Sequence, residues 1–251
     1  MSVKGARIVS GMDLGGTDPT PEPNLLGLLM VLTMTTGVID AVSFVGLGHV
    51  FTANMTGNVV FIGFALAGAQ ELSVERSLVA LVTFAAGAWA GGLLTNRGAR
   101  SSAQLLVMAA AAEATLLAIA AAVGFGHAIP PPSLVAHGLI VLTAIAMGLR
   151  NAIVRKLAVA DVTTTVLTLA ITGLAADSPF ARGAGTRSGR KVLSILAMFI
   201  GALIGTLMLR TWGFMVPLTF AAVLAGVVSL IVGCRSGRRR PGFPAPGEGH
   251  A

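Results

Sequence analysis

Hydrophobic positions in this chain fall into long, nearly unbroken runs, without the polar interruptions that amphipathic helices of soluble domains carry. Six runs approach the ~20 residues that an α-helix needs to cross a bilayer: residues 24–48, 77–95, 103–126, 133–149, 192–209 and 214–233. Two further stretches, 50–69 and 160–176, are shorter or studded with Thr and Asn. The pattern predicts an all-α integral membrane protein. Composition agrees, with 55% hydrophobic and 11% charged residues, where soluble domains carry about 25% charged residues. Residues 1–23 and 235–251 lack apolar runs and read as flexible cytoplasmic tails. Between them, residues 24–130 and 131–234 form two membrane units.

Charge placement decides how many stretches cross. Lys and Arg concentrate in cytoplasmic loops of membrane proteins, so the net charge of +7 is no nucleic-acid footprint. If all eight stretches cross from a cytoplasmic N-terminus, six of the seventeen basic residues fall outside, among them Arg97, Arg100, Arg150 and Arg155. If only six cross, two do, Arg76 and Arg210. The six-span arrangement follows, with both termini cytoplasmic and 50–69 and 160–176 as interrupted or re-entrant segments. Irregular backbone at membrane depth persists only where protein or a water-filled cavity supplies hydrogen-bond partners.

Those two segments lie at matching places in an internal duplication. Gly37 pairs with Gly148, 111 residues on; Thr52 and Thr56 pair with Thr164 and Thr168, 112 on; Gly87 and Gly91 pair with Gly201 and Gly205, 114 on. Each copy holds three spans, an odd number, so the second copy enters the membrane in the opposite sense. Inverted repeats with paired interrupted helices near the midplane are a transporter architecture.

Candidate chemistry concentrates in the same places. Asp40 lies deep in the first run, where an ionisable group costs at least ~2.5 kcal/mol and ordinarily faces a cavity or a partner. It reads either as a proton or cation site or as a structural cap on an interrupted helix. Asn54, Thr56, Gly57 and Asn58 follow, offering side-chain amides and hydroxyls beside a glycine that frees the backbone; the alternative is glue between helices. Asn151, Thr164, Thr165 and Thr168 are the second-half counterparts. Glu113, within AAAAEATLL, is a second intramembrane acid and a proton-relay candidate with no evident partner. Gly87/Gly91 and Gly201/Gly205 are GxxxG pairs suited to close helix packing, within the chain or in a homodimer. The single cysteine, Cys234, excludes an internal disulfide, and no metal-ligand spacing is present.

The blocks GVIDAVSF and GHVFTANMTGN, followed in the second half by RNAIVRKL and Thr164, Thr165 and Thr168, resemble the YoaK-like family of bacterial multi-pass membrane proteins. The resemblance spans residues 25 to 234 and implies a plasma-membrane location but supplies no substrate. Relatives tend to carry Thr-Gly where this chain has Thr168-Leu169.

The chain lacks a phosphate loop, a zinc motif and a nucleophile elbow. The expectation is a non-enzymatic, cofactor-free transporter or channel for a small solute or ion, with Asp40 as a proton or cation site. Its partners would be the lipid bilayer and that solute, with no nucleic acid. The alternative is a membrane scaffold or sensor acting through its helix faces and basic tail.

Overall fold

A computed structural model describes residues 23–96, 101–126, 133–157, 166–176 and 188–238. The candidate residues Thr164 and Thr165 and most of both tails lie outside the described residues. The elements, in order, are α1 (Pro23–Ala41) with a π-helical turn (Val42–Gly46), α2 (Met55–Leu66), α3 (Val74–Asn96) and α4 (Ser102–Val123), then α5 (Leu134–Lys156), α6 (Val166–Ala176), α7 (Ser188–Trp212) and α8 (Met215–Arg238).

Among the described residues, six helices are long and apolar enough to cross a membrane: α1 with its π turn, α3, α4, α5, α7 and α8. The 12-residue α2 and 11-residue α6 reach only ~18 Å at 1.5 Å per residue, too short for a ~30 Å hydrocarbon core. The helix starts carry polar caps. Ser73 Oγ accepts from Arg76 N at 3.2 Å, Ser101 and Gln104 form a reciprocal capping box, and Ser133 Oγ accepts from Ala136 N at 3.1 Å. Each cap satisfies an amide that the first helical turn leaves unpaired.

Burial grades the spans, with α4 at 39% and α8 at 33% between two extremes. In the most apolar window of α1, 72% of residues are buried, and in that of α5, 61%; the corresponding shares for α3 and α7 are 17% and 22%. The outward faces are apolar too, with Trp89 70% and Phe199 63% exposed. Apolar side chains on the outside and polar ones within, including Thr33, Thr35, Thr36, Asp40, Glu113 and Arg150, make sense only in lipid.

Glycines set how the spans approach. In lipid, helices associate through van der Waals contact, so small residues that let backbones touch are favoured. A Cβ on Gly37 would overlap the Met198 carbonyl, and one on Gly201 the Met34 carbonyl; α1 thereby lies against α7. A Cβ on Gly148 would overlap the Phe84 carbonyl, and one on Gly87 the Ile145 carbonyl, which brings α5 against α3. Gly91 sits over Leu149 and Gly205 over Val38. The two crossings correspond residue for residue: Phe84 and Met198 are 114 apart, Met34 and Ile145 111 apart. The first span of each half thus packs on the second span of the other half.

Candidate functional site

The first half of the site begins where α1 stops being an α-helix. After Ala41 the backbone widens into the π turn, then Leu47 N bonds Ser43 O and His49 N bonds Phe44 O, both at 3.1 Å. Gly48 (φ +89°) and His49 (φ +59°) both adopt the left-handed region, which reverses the chain. A side chain at Gly48 would run into the Arg76 guanidinium, whose Nε donates to the Gly48 carbonyl at 3.1 Å. Glycine therefore serves both the turn and the close approach.

From this reversal, residues 50–54 return along α1. Ala53 N donates to Asp40 Oδ1 at 3.0 Å, and Asp40 is 5% exposed. The amide reached is the residue before Asn54, the N-cap position of α2. The Asp40 carboxylate therefore sits at the N-terminal end of the short helix, where backbone amides and the helix dipole favour a negative group. Asp40 Oδ2 is buried without a hydrogen-bond partner among the described residues, and so is Thr52 Oγ1.

Asn58 holds the returning strand from the other side. Its Oδ1 accepts from Phe51 N at 3.0 Å and its Nδ2 donates to Phe51 O at 2.6 Å. A fully buried side-chain amide thus pairs with one whole peptide unit, as a neighbouring β-strand would. Gly57 makes this possible, since a Cβ there would come within 2.6 Å of the Phe51 ring. Phe51 packs in turn in a three-ring cluster with Phe44 and Phe61, with ring centroids 5.0 and 5.6 Å from its own and 6.0 Å from each other. Thr56 Oγ1 donates to Asn54 Oδ1 at 2.9 Å in an exposed pair. Asn54, Thr56, Gly57 and Asn58 thus come together with Asp40, but in two roles. Asn58 and Gly57 build the hairpin, whereas Asn54 and Thr56 lie at its accessible edge.

Sequence reasoning missed Arg150. Charge counting placed it in a cytoplasmic loop; it lies inside α5, six residues before the helix ends, and is 4% exposed. Helix α5 runs on past the apolar residues that marked its predicted end at 149, because Arg150 finds partners within the bundle. Nη1 donates to Leu32 O (2.9 Å), Thr35 Oγ1 (3.2 Å) and Glu113 Oε1 (3.0 Å), and Nη2 to Thr36 Oγ1 (2.5 Å). Thr35 Oγ1 lies a further 2.9 Å from Glu113 Oε1. Glu113, without a partner in the sequence reading, is a buried ion pair joining α4 to α5 across α1. The available signal was one arginine and one glutamate, each alone in an apolar run, since a charge in lipid requires a counter-charge.

On α1 and its π turn, Thr33, Thr36, Asp40 and Ser43 follow at spacings of three, four and three, and all are buried. They form one polar stripe up the central helix, with Arg150 at its lower part and the returning hairpin at its upper end. Ser43 Oγ donates to Asp40 O at 3.2 Å, while Thr33 and Thr36 bond the Leu29 and Leu32 carbonyls. In the second half, Asn151 is half-buried and Thr168 exposed. Asn151 stands 111 residues after Asp40, the same spacing as Gly37 and Gly148.

A family described as "Protein of unknown function (DUF1275)" matches residues 28–231, which take in every element just described except parts of the outermost turns. The chain belongs to this family. The chain is also 36% identical over 151 residues to the UPF0700 transmembrane protein YoaK of Bacillus subtilis (strain 168). That match takes in 60% of this chain and 65% of the relative, just under two thirds of its length. No solved structure matches. Family membership and the six apolar spans together make this a multi-pass membrane protein of the DUF1275 family.

Proposed function

We propose that this protein moves a small solute or ion across the bacterial plasma membrane, with a proton or cation bound at Asp40. The observation that carries the reading is a buried carboxylate with an unpartnered oxygen, placed where the most buried span breaks. Such a group is costly in lipid and is retained where its charge is used. Asn54 and Thr56 line the approach from the first half, and Asn151 and Thr168 are their counterparts in the second. The halves act as inverted repeats, with both termini cytoplasmic, and one rocks against the other to alternate access. The matched glycine crossings support the duplication on which this motion rests. The reading is of a carrier rather than an enzyme.

A second reading has its own support. Asp40 is closed off between packed elements, which suits a scaffold or sensor in which it only caps α2. Single cysteines at Asn54, Thr56 and Thr168 in a Cys234→Ser background separate the two. A membrane-impermeant thiol reagent is applied to each face in turn. Labelling of positions 54 and 56 from one face and 168 from the other is the carrier's result. Protection of all three from both faces, in folded and inserted protein, gives the scaffold reading the lead.

A further inference from the structure

The hairpin leaves two buried oxygens with nothing to bond, Asp40 Oδ2 and Thr52 Oγ1, on residues 5% and 0% exposed. They belong to neighbouring groups, because the Ala53 amide that donates to Asp40 Oδ1 at 3.0 Å is the residue next to Thr52. A threonine hydroxyl can donate and a carboxylate oxygen can accept, yet these two do not bond each other. A third species lying between them would satisfy both.

Charge sets the valence of that species. Among the described residues, the ionisable groups buried in the middle of the spans are Asp40, Glu113 and Arg150, with Lys191 in the first turn of α7. Arg150 and Glu113 neutralise one another at 3.0 Å. Lys191 precedes Gly205, the residue of α7 packed on Val38 and Ala41, by about four helical turns, or ~21 Å along the helix at 1.5 Å per residue. At the level of the hairpin Asp40 is therefore the negative charge without a bonded cation. One monovalent cation brings this centre to neutrality, whereas a divalent one leaves a net positive charge at membrane depth, which is as costly as the charge it removes. Charged or titratable groups elsewhere around the hairpin are His49, exposed on its tip, and Arg76, bonded to the Gly48 carbonyl.

We propose that Asp40 Oδ2 and Thr52 Oγ1 are two ligands of a site for one small monovalent cation of the sodium type. Water and carbonyl oxygens of the turn complete the shell. Unwound carbonyls and the C-terminal ends of interrupted helices hold sodium in carriers, and it is the C-terminal end of α1 and its π turn that lie beside Asp40. The proposal rests on the carrier reading, for which it names the coupling ion.

The test uses the full chain in nanodiscs. Thermal stability is followed in NaCl, KCl and choline chloride at constant ionic strength, at acidic, neutral and alkaline pH, and NaCl is titrated in by calorimetry. Sodium is expected to raise the Tm saturably, and choline is not. Thr52→Val should weaken sodium binding on the order of tenfold, the equivalent of one ~1.4 kcal/mol contact. Asp40→Asn retains an acceptor for the Ala53 amide and should abolish the sodium response; if it fails to fold, Thr52→Val carries the test alone. Equal Tm values in all three salts would overturn the proposal. So would a stability that follows pH alone and is unchanged in Thr52→Val, because the occupant is then a proton. Sodium binding with position 54 protected from both faces keeps the site and removes transport. Labelled position 54 without a sodium effect keeps transport and removes the site.

Discussion

Asp40 and Glu113 are both carboxylates buried inside membrane spans, and their surroundings differ in kind. Glu113 shares one oxygen with Arg150 at 3.0 Å and with the Thr35 hydroxyl, so its charge is answered by a side chain from another span. Asp40 is answered by backbone amides, Ala53 first with Thr52 and Asn54 beside it, from a segment only thirteen residues further along the same chain. The first arrangement ties α4, α5 and α1 together and has no reason to change. The second holds a broken helix closed by a contact that any competing cation or proton can weaken. The comparison teaches that buried charge in a bundle is not one thing: an ion pair is a bracket, while an acid against amides is a latch.

The largest loss is expected when the ion pair is removed. Arg150→Met leaves Glu113 buried without its cation, and removing one partner of a buried pair costs about 3–5 kcal/mol. Thermal melts in detergent should show the largest loss of the series, and Arg150→Met combined with Glu113→Leu should recover part of it. No recovery in the double variant would mean that Arg150 acts through its bonds to α1 and not through the ion pair.

Next come the crossings that set the bundle on which both sites depend. Gly148→Ala pushes a methyl group into the Phe84 carbonyl, and overpacking of this kind costs about 1–3 kcal/mol. Gly92→Ala, with nothing within 4 Å of its added carbon, is the matched control and should melt as the parent does.

The hairpin itself is then loosened from its far side. Asn58→Leu strips both bonds from the Phe51 peptide and leaves its amide and carbonyl unsatisfied, a loss of about 1–3 kcal/mol for buried groups. The loss should be local: hydrogen exchange should accelerate at residues 50–54 and remain unchanged at the Arg150 contacts on α1. Spreading of the exchange to α4 and α5 would show that latch and bracket are one cooperative unit.

Much of this was legible in the sequence, and for a plain reason. Crossing a bilayer needs a length of apolar residues that no tertiary contact can replace, so the run 77–95 became Val74–Asn96 and 103–126 became Ser102–Val123. The interruption following the first span was legible because GHVFTANMTGN puts polar side chains and glycines where a continuing helix would want neither; the widening of the backbone already at Val42, inside the apolar run 24–48, was not. The Arg150–Glu113 pair was not, since it depends on two spans meeting 37 residues apart, and charge counting assigns any arginine at the end of an apolar run to a loop. Asn58 was also ambiguous. A side-chain amide that lines a site and one that imitates a strand look the same until the chain is seen to fold back on Phe51.

Among the variants that alter a contact, Asp40→Asn has the smallest expected change in stability, and it bears most directly on the role of the buried acid. The amide keeps an oxygen for the Ala53 N–H, so the protein should fold and melt within about 1 kcal/mol of the parent, the scale of a single neutral hydrogen bond. The measurement is the rate at which a membrane-impermeant thiol reagent labels a cysteine at position 54, with Asp40 present and with Asp40→Asn, both in a Cys234→Ser background. The account predicts labelling from one face with Asp40 present, and a clearly altered rate in the Asn variant. Equal rates in the two proteins, or protection from both faces in each, would contradict it and leave Asp40 as a cap in a closed scaffold.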